Sequence, residues 1–255
     1  MNASAYMRAE NAGLPAALAV LLAIMGMFMC QAASAQAAAA WPKKIVAFGD
    51  STTAPRGKLK VYADILREEL SGAQVINAGV GGNHTAMARQ RFEADVLAHN
   101  PDLALIQFGI NDSVIDVSRG AAQPRVSRED YEANLRYFIT TLQTRSARVI
   151  LMTPNALCWT DRLREVYGKP PYRPDDPDGF NVTLRDYAAI VRRVAASAAV
   201  PLVDVLAAYD RRLETPGHAR TDLLLDGMHP NADGQRLVAG LLLEQIRKMA
   251  AAHDD

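Results

Sequence analysis

Residues 44–51 read KIVAFGDS. A short apolar run passes straight into glycine, aspartate and serine, so a strand delivers three turn-forming residues at its C-terminal end. The arrangement returns twice. Residues 74–78 (QVINA) lead into Gly79, Val80, Gly81, Gly82 and Asn83, and residues 103–108 (LALIQF) lead into Gly109, Ile110, Asn111 and Asp112. The third run is apolar almost throughout, the pattern of a strand covered on both faces. Between the runs, Val61, Tyr62, Ile65, Leu66 and Leu70 fall on one helical face. Residues 85–98 predict a second helix, stopped by Asn100 and Pro101.

The alternation continues downstream. Ser127, with Asp130 three residues later, resembles a capping box, and Tyr131, Leu135, Phe138, Ile139 and Leu142 then form a helical stripe. Residues 148–152 (RVILM) predict a fourth strand, 182–198 a helix and 202–205 a short fifth strand. Residues 232–251 predict a closing helix with Leu237, Leu241, Leu242 and Ile246 turned inward. This order implies the α/β class, a three-layer α/β/α sandwich around a mainly parallel five-stranded sheet. Two segments read as long loops, 113–125 and 153–180, the second with five prolines. Both follow the C-terminal ends of strands, where open parallel sheets bind ligands.

The chain has 255 residues, with 28 Lys+Arg against 28 Asp+Glu and 49% hydrophobic residues. That length suits one α/β domain, and the balanced charge leaves no basic footprint for nucleic acid. Two cysteines are too few for a disulfide scaffold or a multi-cysteine zinc cluster. No HExxH stretch occurs and no His/Asp cluster has ligand spacing, so no metal and no other cofactor is expected. The stretch after Gly79 has His84 where a dinucleotide-binding G-x-G-x-x-G needs glycine, and no G-x-S-x-G elbow is present.

Only Arg8 and Glu10 are charged before Lys43, residues 14–29 are apolar, and small residues ending in Ala33, Ser34 and Ala35 follow. Residues 1–35 are therefore expected to be a secretory signal peptide, leaving 36–255 as a single exported domain, periplasmic or extracellular. The apolar run is shorter than the ~20 residues a spanning helix needs, so no stable membrane anchor is expected. Met29 stands before Cys30, where lipidation requires a small residue. Cleavage leaves Cys158 alone, and burial is its expected fate.

A fourth segment, Asp226, Gly227, Met228, His229 and Pro230, stands just ahead of the last helix. Taken with the three strand-end segments, in this order, it resembles the SGNH (GDSL-type) hydrolase family over essentially the whole of 36–255. The first segment reads GDST instead of GDSL. The resemblance implies the flavodoxin-like SGNH hydrolase fold. It also implies Ser51 as nucleophile, Asp226 and His229 as the rest of a triad, and Gly82 and Asn111 as oxyanion donors.

The residue chemistry agrees. A serine hydroxyl is a weak nucleophile until a base takes its proton, and an imidazole is suited to that task. Asp226 can accept from the other ring nitrogen and stabilise the imidazolium. Gly82 can offer a backbone N–H at close approach, Asn111 a side-chain amide and Ser51 its own N–H. Bland alternatives exist for each. Ser51 reads in isolation as a helix cap, Asn111 as a left-handed turn residue, and Asp226 as a cap of the last helix, although Asn231 is better placed for that. Asp50 and Asp112 are expected to hold loops. His84 reads as a surface or supporting residue.

The expected function is ester hydrolysis on a small-molecule or carbohydrate ester, with short acyl groups, acetyl above all. Lysophospholipase, thioesterase and arylesterase activities are the alternatives within the resembled family. A non-catalytic carbohydrate-binding protein is the alternative outside it, with Trp159, Tyr167 and Tyr172 stacking on sugar rings.

Overall fold

In the computed structural model, which describes residues 41–252, strand parity sorts side chains into two cores. The strands are β1 (Lys44–Gly49), β2 (Gln74–Gly79), β3 (Leu103–Gln107), β4 (Arg148–Met152) and β5 (Leu202–Val203). Ile45, Ala47, Leu103, Leu105, Ile150 and Met152 face one side. Val46, Phe48, Ala104, Ile106, Val149 and Leu151 face the other. Both faces are therefore dry, which is why these strands are apolar at successive positions.

The first core is closed by α1 (Tyr62–Glu69), α7 (Val205–Leu213) and α8 (Ala232–Ala251). The second is closed by α2 (Thr85–Asp95), α4 (Arg128–Thr144) and α6 (Val182–Ser197). The remaining helices are α3 (Ile110–Ser113) and α5 (Asp161–Tyr167). The three-layer expectation holds. On α8, Leu242 and Ile246 are buried, and Leu237 and Leu241 pack partly buried against the same core.

All five strands are parallel, in the order β2-β1-β3-β4-β5. The chain leaves β1 towards one edge and later returns to β3 on its other side. In open parallel sheets such a switch in direction marks where ligands bind, outside the strands' C-terminal ends. Phe48, the penultimate residue of β1, anchors that edge. Its ring centroid lies 5.5, 5.1 and 5.4 Å from those of Phe92, Phe108 and Phe138. Such pairs contribute roughly 0.5–1.5 kcal/mol each beyond their burial.

Several boundaries differ from the sequence reading. The helix expected over 85–98 ends at Asp95 and continues as a 3₁₀ turn, Leu97–His99, before Asn100 turns left-handed at φ 47°. The fifth strand has only two residues, because Asp204 accepts from the Ala207 N–H and caps α7 from Val205 onward. The two expected loops are not featureless. A 3₁₀ turn at Val117–Arg119 lies in the first, and α5, capped by Thr160, in the second. Half of the capping box at Ser127 forms: its hydroxyl accepts from the Asp130 N–H, while the Asp130 carboxylate takes the serine O–H and not the Ser127 N–H. The segment read as an export signal, 1–35, lies outside the described residues. No described helix is long and apolar enough to cross a membrane.

Candidate active site

Ser51 sits on the first turn after β1. Asp50 shapes that turn: its Oδ1 accepts from the Thr52 N–H and hydroxyl, both at 2.9 Å, and its carbonyl accepts from Thr53 and Ala54. Asp50, not Ser51, therefore does the capping, and the serine hydroxyl is left for other partners. The Asp50 carboxyl is buried, and desolvation pushes its pKa up against the Thr52 bonds and the nearby His229.

The partner is His229. Its Nε2 lies 3.0 Å from Ser51 Oγ, and its Nδ1 lies 2.8 Å from Asp226 Oδ2. The Met228 and His229 backbone N–H groups both donate to Asp226 Oδ1, at 3.0 and 2.9 Å, which leaves Oδ2 for the ring. Partial burial raises the Asp226 carboxyl, but these bonds outweigh it and hold the group below 3.8. Asn231 caps α8 by accepting from Asp233 and Gly234, so Asp226 is not needed there.

The turn is held at its base and its tip. At the base, Leu224 and Pro230 form a bridge and the Leu225 N–H donates to the His229 carbonyl. At the tip, Cys158 N–H donates to the Gly227 carbonyl at 2.9 Å and Asn155 Nδ2 to the Met228 carbonyl at 3.0 Å. Gly227 has φ +87°, and a Cβ there would lie 2.6 Å from the Cys158 carbonyl oxygen.

Gly82 and Asn111 come from the loops after β2 and β3. The preceding Gly81 is against the serine, since a Cβ on it would lie 4.0 Å from Ser51 Cβ. Gly82 has φ +75°, and a Cβ there would meet nothing within 4 Å. A left-handed backbone there favours glycine. Asn111 is buried in α3, not in a left-handed turn. Its Nδ2 donates to the Asn83 carbonyl at 3.0 Å, which uses one of two amide hydrogens. The five residues singled out from sequence therefore occupy three strand-end loops and one folded-back turn at the same sheet edge.

Sequence reasoning missed Arg91. Its Nε donates to Asn83 Oδ1 at 2.7 Å, Nη1 to the Ala78 carbonyl at 2.8 Å and Nη2 to the Gly49 carbonyl at 2.9 Å. It joins the ends of β1 and β2 to the Gly82 loop, and its guanidinium lies 4.7 Å from the Phe48 ring centroid. His84 caps α2, with Nδ1 accepting from Met87 N–H at 3.4 Å.

Trp159 and Tyr172 are buried, not displayed for sugar, and Tyr167 packs partly buried against them. Trp159 stacks on Phe180 at 4.6 Å, and its indole N–H donates to the Arg173 and Asp176 carbonyls. Tyr172 is buried, and its hydroxyl accepts from Ile115 N–H. With Tyr167, Ile110 and Leu163 they build a satellite core under the 153–180 segment. Their apolar area is spent on packing, which removes the feature that favoured a non-catalytic sugar binder. Cys158 is buried and unpaired, and burial raises its thiol pKa. Among the described residues no three His, Cys, Asp or Glu side chains converge as a metal site.

Comparison with known proteins adds to this geometry. The model of the GDSL-like lipase/acylhydrolase family matches residues 47–237. An uncharacterized lipoprotein, YqeF of Bacillus subtilis (strain 168), is 32% identical, over 76% of this chain and 85% of its own. An acetylxylan esterase of Geobacillus stearothermophilus is 29% identical, over 69% of this chain and 73% of its own. The solved structure of Axe2, an acetylxylan esterase from that organism, has a TM-score of 0.63 and 25% identity, covering 82% of this chain and 95% of that one.

Proposed function

The chain belongs to the GDSL-like lipase/acylhydrolase family and is a carboxylic ester hydrolase, and from that premise we propose that it removes short acyl groups, chiefly acetyl, from carbohydrate esters. Ser51 Oγ attacks the ester carbonyl carbon while its proton passes to His229 Nε2. Asp226 accepts from His229 Nδ1–H and stabilises the imidazolium. Gly82 N–H, Ser51 N–H and the second Asn111 amide hydrogen receive the oxyanion. The C–O bond to the alcohol then breaks, and the alcohol leaves with the proton from His229. Water, deprotonated by the same imidazole, attacks the acyl-enzyme and frees the acid and Ser51.

The observation that carries this reading is the unbroken line Ser51 Oγ, His229, Asp226, with contacts of 3.0 and 2.8 Å. The carbohydrate part rests on similarity to acetylxylan esterases, since the aromatic residues no longer argue for it. We also read residues 1–35 as a removable export signal, which places the enzyme outside the cytoplasm. Aryl esters are a second reading: Val80, two residues before Gly82, and Leu225, next to Asp226, are exposed apolar side chains that would give an aryl group something to pack against.

The test is hydrolysis of p-nitrophenyl esters of increasing acyl length, run beside an acetylated xylan, with wild type and Ser51→Ala. Wild type should favour acetyl and deacetylate the polysaccharide, and the variant should do neither. Activity that survives in Ser51→Ala refutes the mechanism. Long-chain preference refutes the substrate.

A further inference from the structure

Asp112 follows Asn111 on α3 and is fully buried. Its Oδ1 accepts from both the backbone N–H and the hydroxyl of Thr85, at 2.8 and 2.5 Å. Its Oδ2 is buried without a hydrogen-bond partner. Thr85 is the first residue of α2, immediately beyond the Gly82 loop. Two residues earlier, the Asn83 carbonyl accepts from Asn111 Nδ2. Adjacent residues of α3 thus make two crossing contacts to one short segment. Together they set where the Gly82 peptide lies relative to the Asn111 amide. The Thr85 hydroxyl also accepts from Asn134 Nδ2 at 3.2 Å, which ties the junction to α4.

A carboxylate is a demanding choice for this position. The titratable groups facing it are Asp50 after β1, Tyr131 on α4 and Tyr187 on α6, and none of them is a cation. What a carboxylate offers is strength, because an ionised acceptor holds two donors more tightly than an amide oxygen does.

We propose that Asp112 is a positioning residue for the oxyanion site: ionised, it grips Thr85 and fixes the spacing between the Gly82 N–H and the Asn111 amide; protonated, it loosens that spacing and slows acyl transfer. The proposal rests on the oxyanion role given to Gly82 and Asn111 above. Burial pushes the Asp112 carboxyl up to about 7, against the bonds from Thr85 and with Asp50 adding to the rise. The change of state therefore falls where an esterase works.

The experiment measures kcat and KM for p-nitrophenyl acetate from about pH 5 to 9 in wild type, Asp112→Asn, Thr85→Val and Asn111→Ala. Asp112→Asn should lower kcat about 10- to 100-fold, the scale expected for a slightly misplaced donor, with KM changed less than about twofold. The acid limb of log kcat should be steeper than a single ionisation in wild type and should fall to a single ionisation in Asp112→Asn. Thr85→Val, which weakens the grip but keeps the carboxyl, should lower kcat and move the acid limb to higher pH. Should Asp112→Asn fail to fold, that movement alone decides: a limb that stays in place overturns the proposal. An unchanged kcat or an unchanged limb in Asp112→Asn overturns it too. Asn111→Ala separates the two levels. If it loses activity while Asp112→Asn does not, only the positioning role falls; if it keeps full activity, the oxyanion reading falls and this inference with it.

Discussion

His229 Nε2 stands 3.0 Å from Ser51 Oγ across a separation of 178 residues. The contact exists because β1 presents Ser51 at its C-terminal end while the turn ahead of α8 folds back over the same edge. Asp226, held below 3.8 by its bonds from the His229 turn, stays an ionised acceptor for the imidazole. Asp226→Asn should lower kcat on the order of 10²–10⁴-fold, with a far smaller change in KM, because the ring loses its orienting acceptor.

Gly227→Ala should be costly out of proportion to one methyl group. The residue has φ +87° and the new Cβ would meet the Cys158 carbonyl at 2.6 Å. Left-handed strain and backbone collision together should cost on the order of 2–4 kcal/mol. Activity should fall further than stability, since the displaced turn carries both Asp226 and His229. Gly82→Ala meets open space, so its stability loss should be only about 1–2 kcal/mol, from backbone conformation alone. Urea titration of the two variants beside wild type compares them directly.

Trp159→Ala tests the reassignment of the loop aromatics. Emptying a well-packed aromatic site should cost about 3–5 kcal/mol. If Trp159 serves packing, kcat/KM should fall in the same proportion on p-nitrophenyl acetate and on acetylated xylan. A selective loss on the polysaccharide would mean that the indole contacts sugar.

Asp112→Asn should lower activity yet raise stability at alkaline pH. A carboxyl that ionises at about 7 in the folded chain and at 3.8 unfolded binds its proton more tightly when folded. Its contribution is fully present below pH 3.8 and is lost as pH rises through about 7. The loss is at most about 4 kcal/mol. The variant has nothing to lose over that interval. Its melting temperature relative to wild type should therefore climb between acidic and alkaline buffers, and a constant offset would refute the buried charge.

The sheet was legible because its central strands β1, β3 and β4 are covered on both faces and so read as nearly uninterrupted apolar runs. Four short polar segments, three at strand ends and one ahead of the last helix, were equally legible, since turn chemistry and catalytic chemistry coincide in them. What escaped was structure set by side-chain capping or tertiary packing. The α7 helix hid behind a strand-like Leu-Val-Asp-Val stretch until Asp204 capped it. Arg91 went unnoticed, because nothing local announces that three carbonyl and amide oxygens converge on it. The aromatics of 153–180 looked exposed because five prolines imply an open loop, whereas Phe180 folds the segment onto itself.

The tip of the acid–base turn hangs from Asn155 and Cys158, and the segment beyond them rests on its own small nucleus around Trp159 and Phe180, separate from the two cores that clamp the sheet. Warming should therefore silence this enzyme before it melts it: the minor nucleus loosens first, the imidazole drifts from the hydroxyl, and the helical layers around the strands outlast the turnover they were built to support.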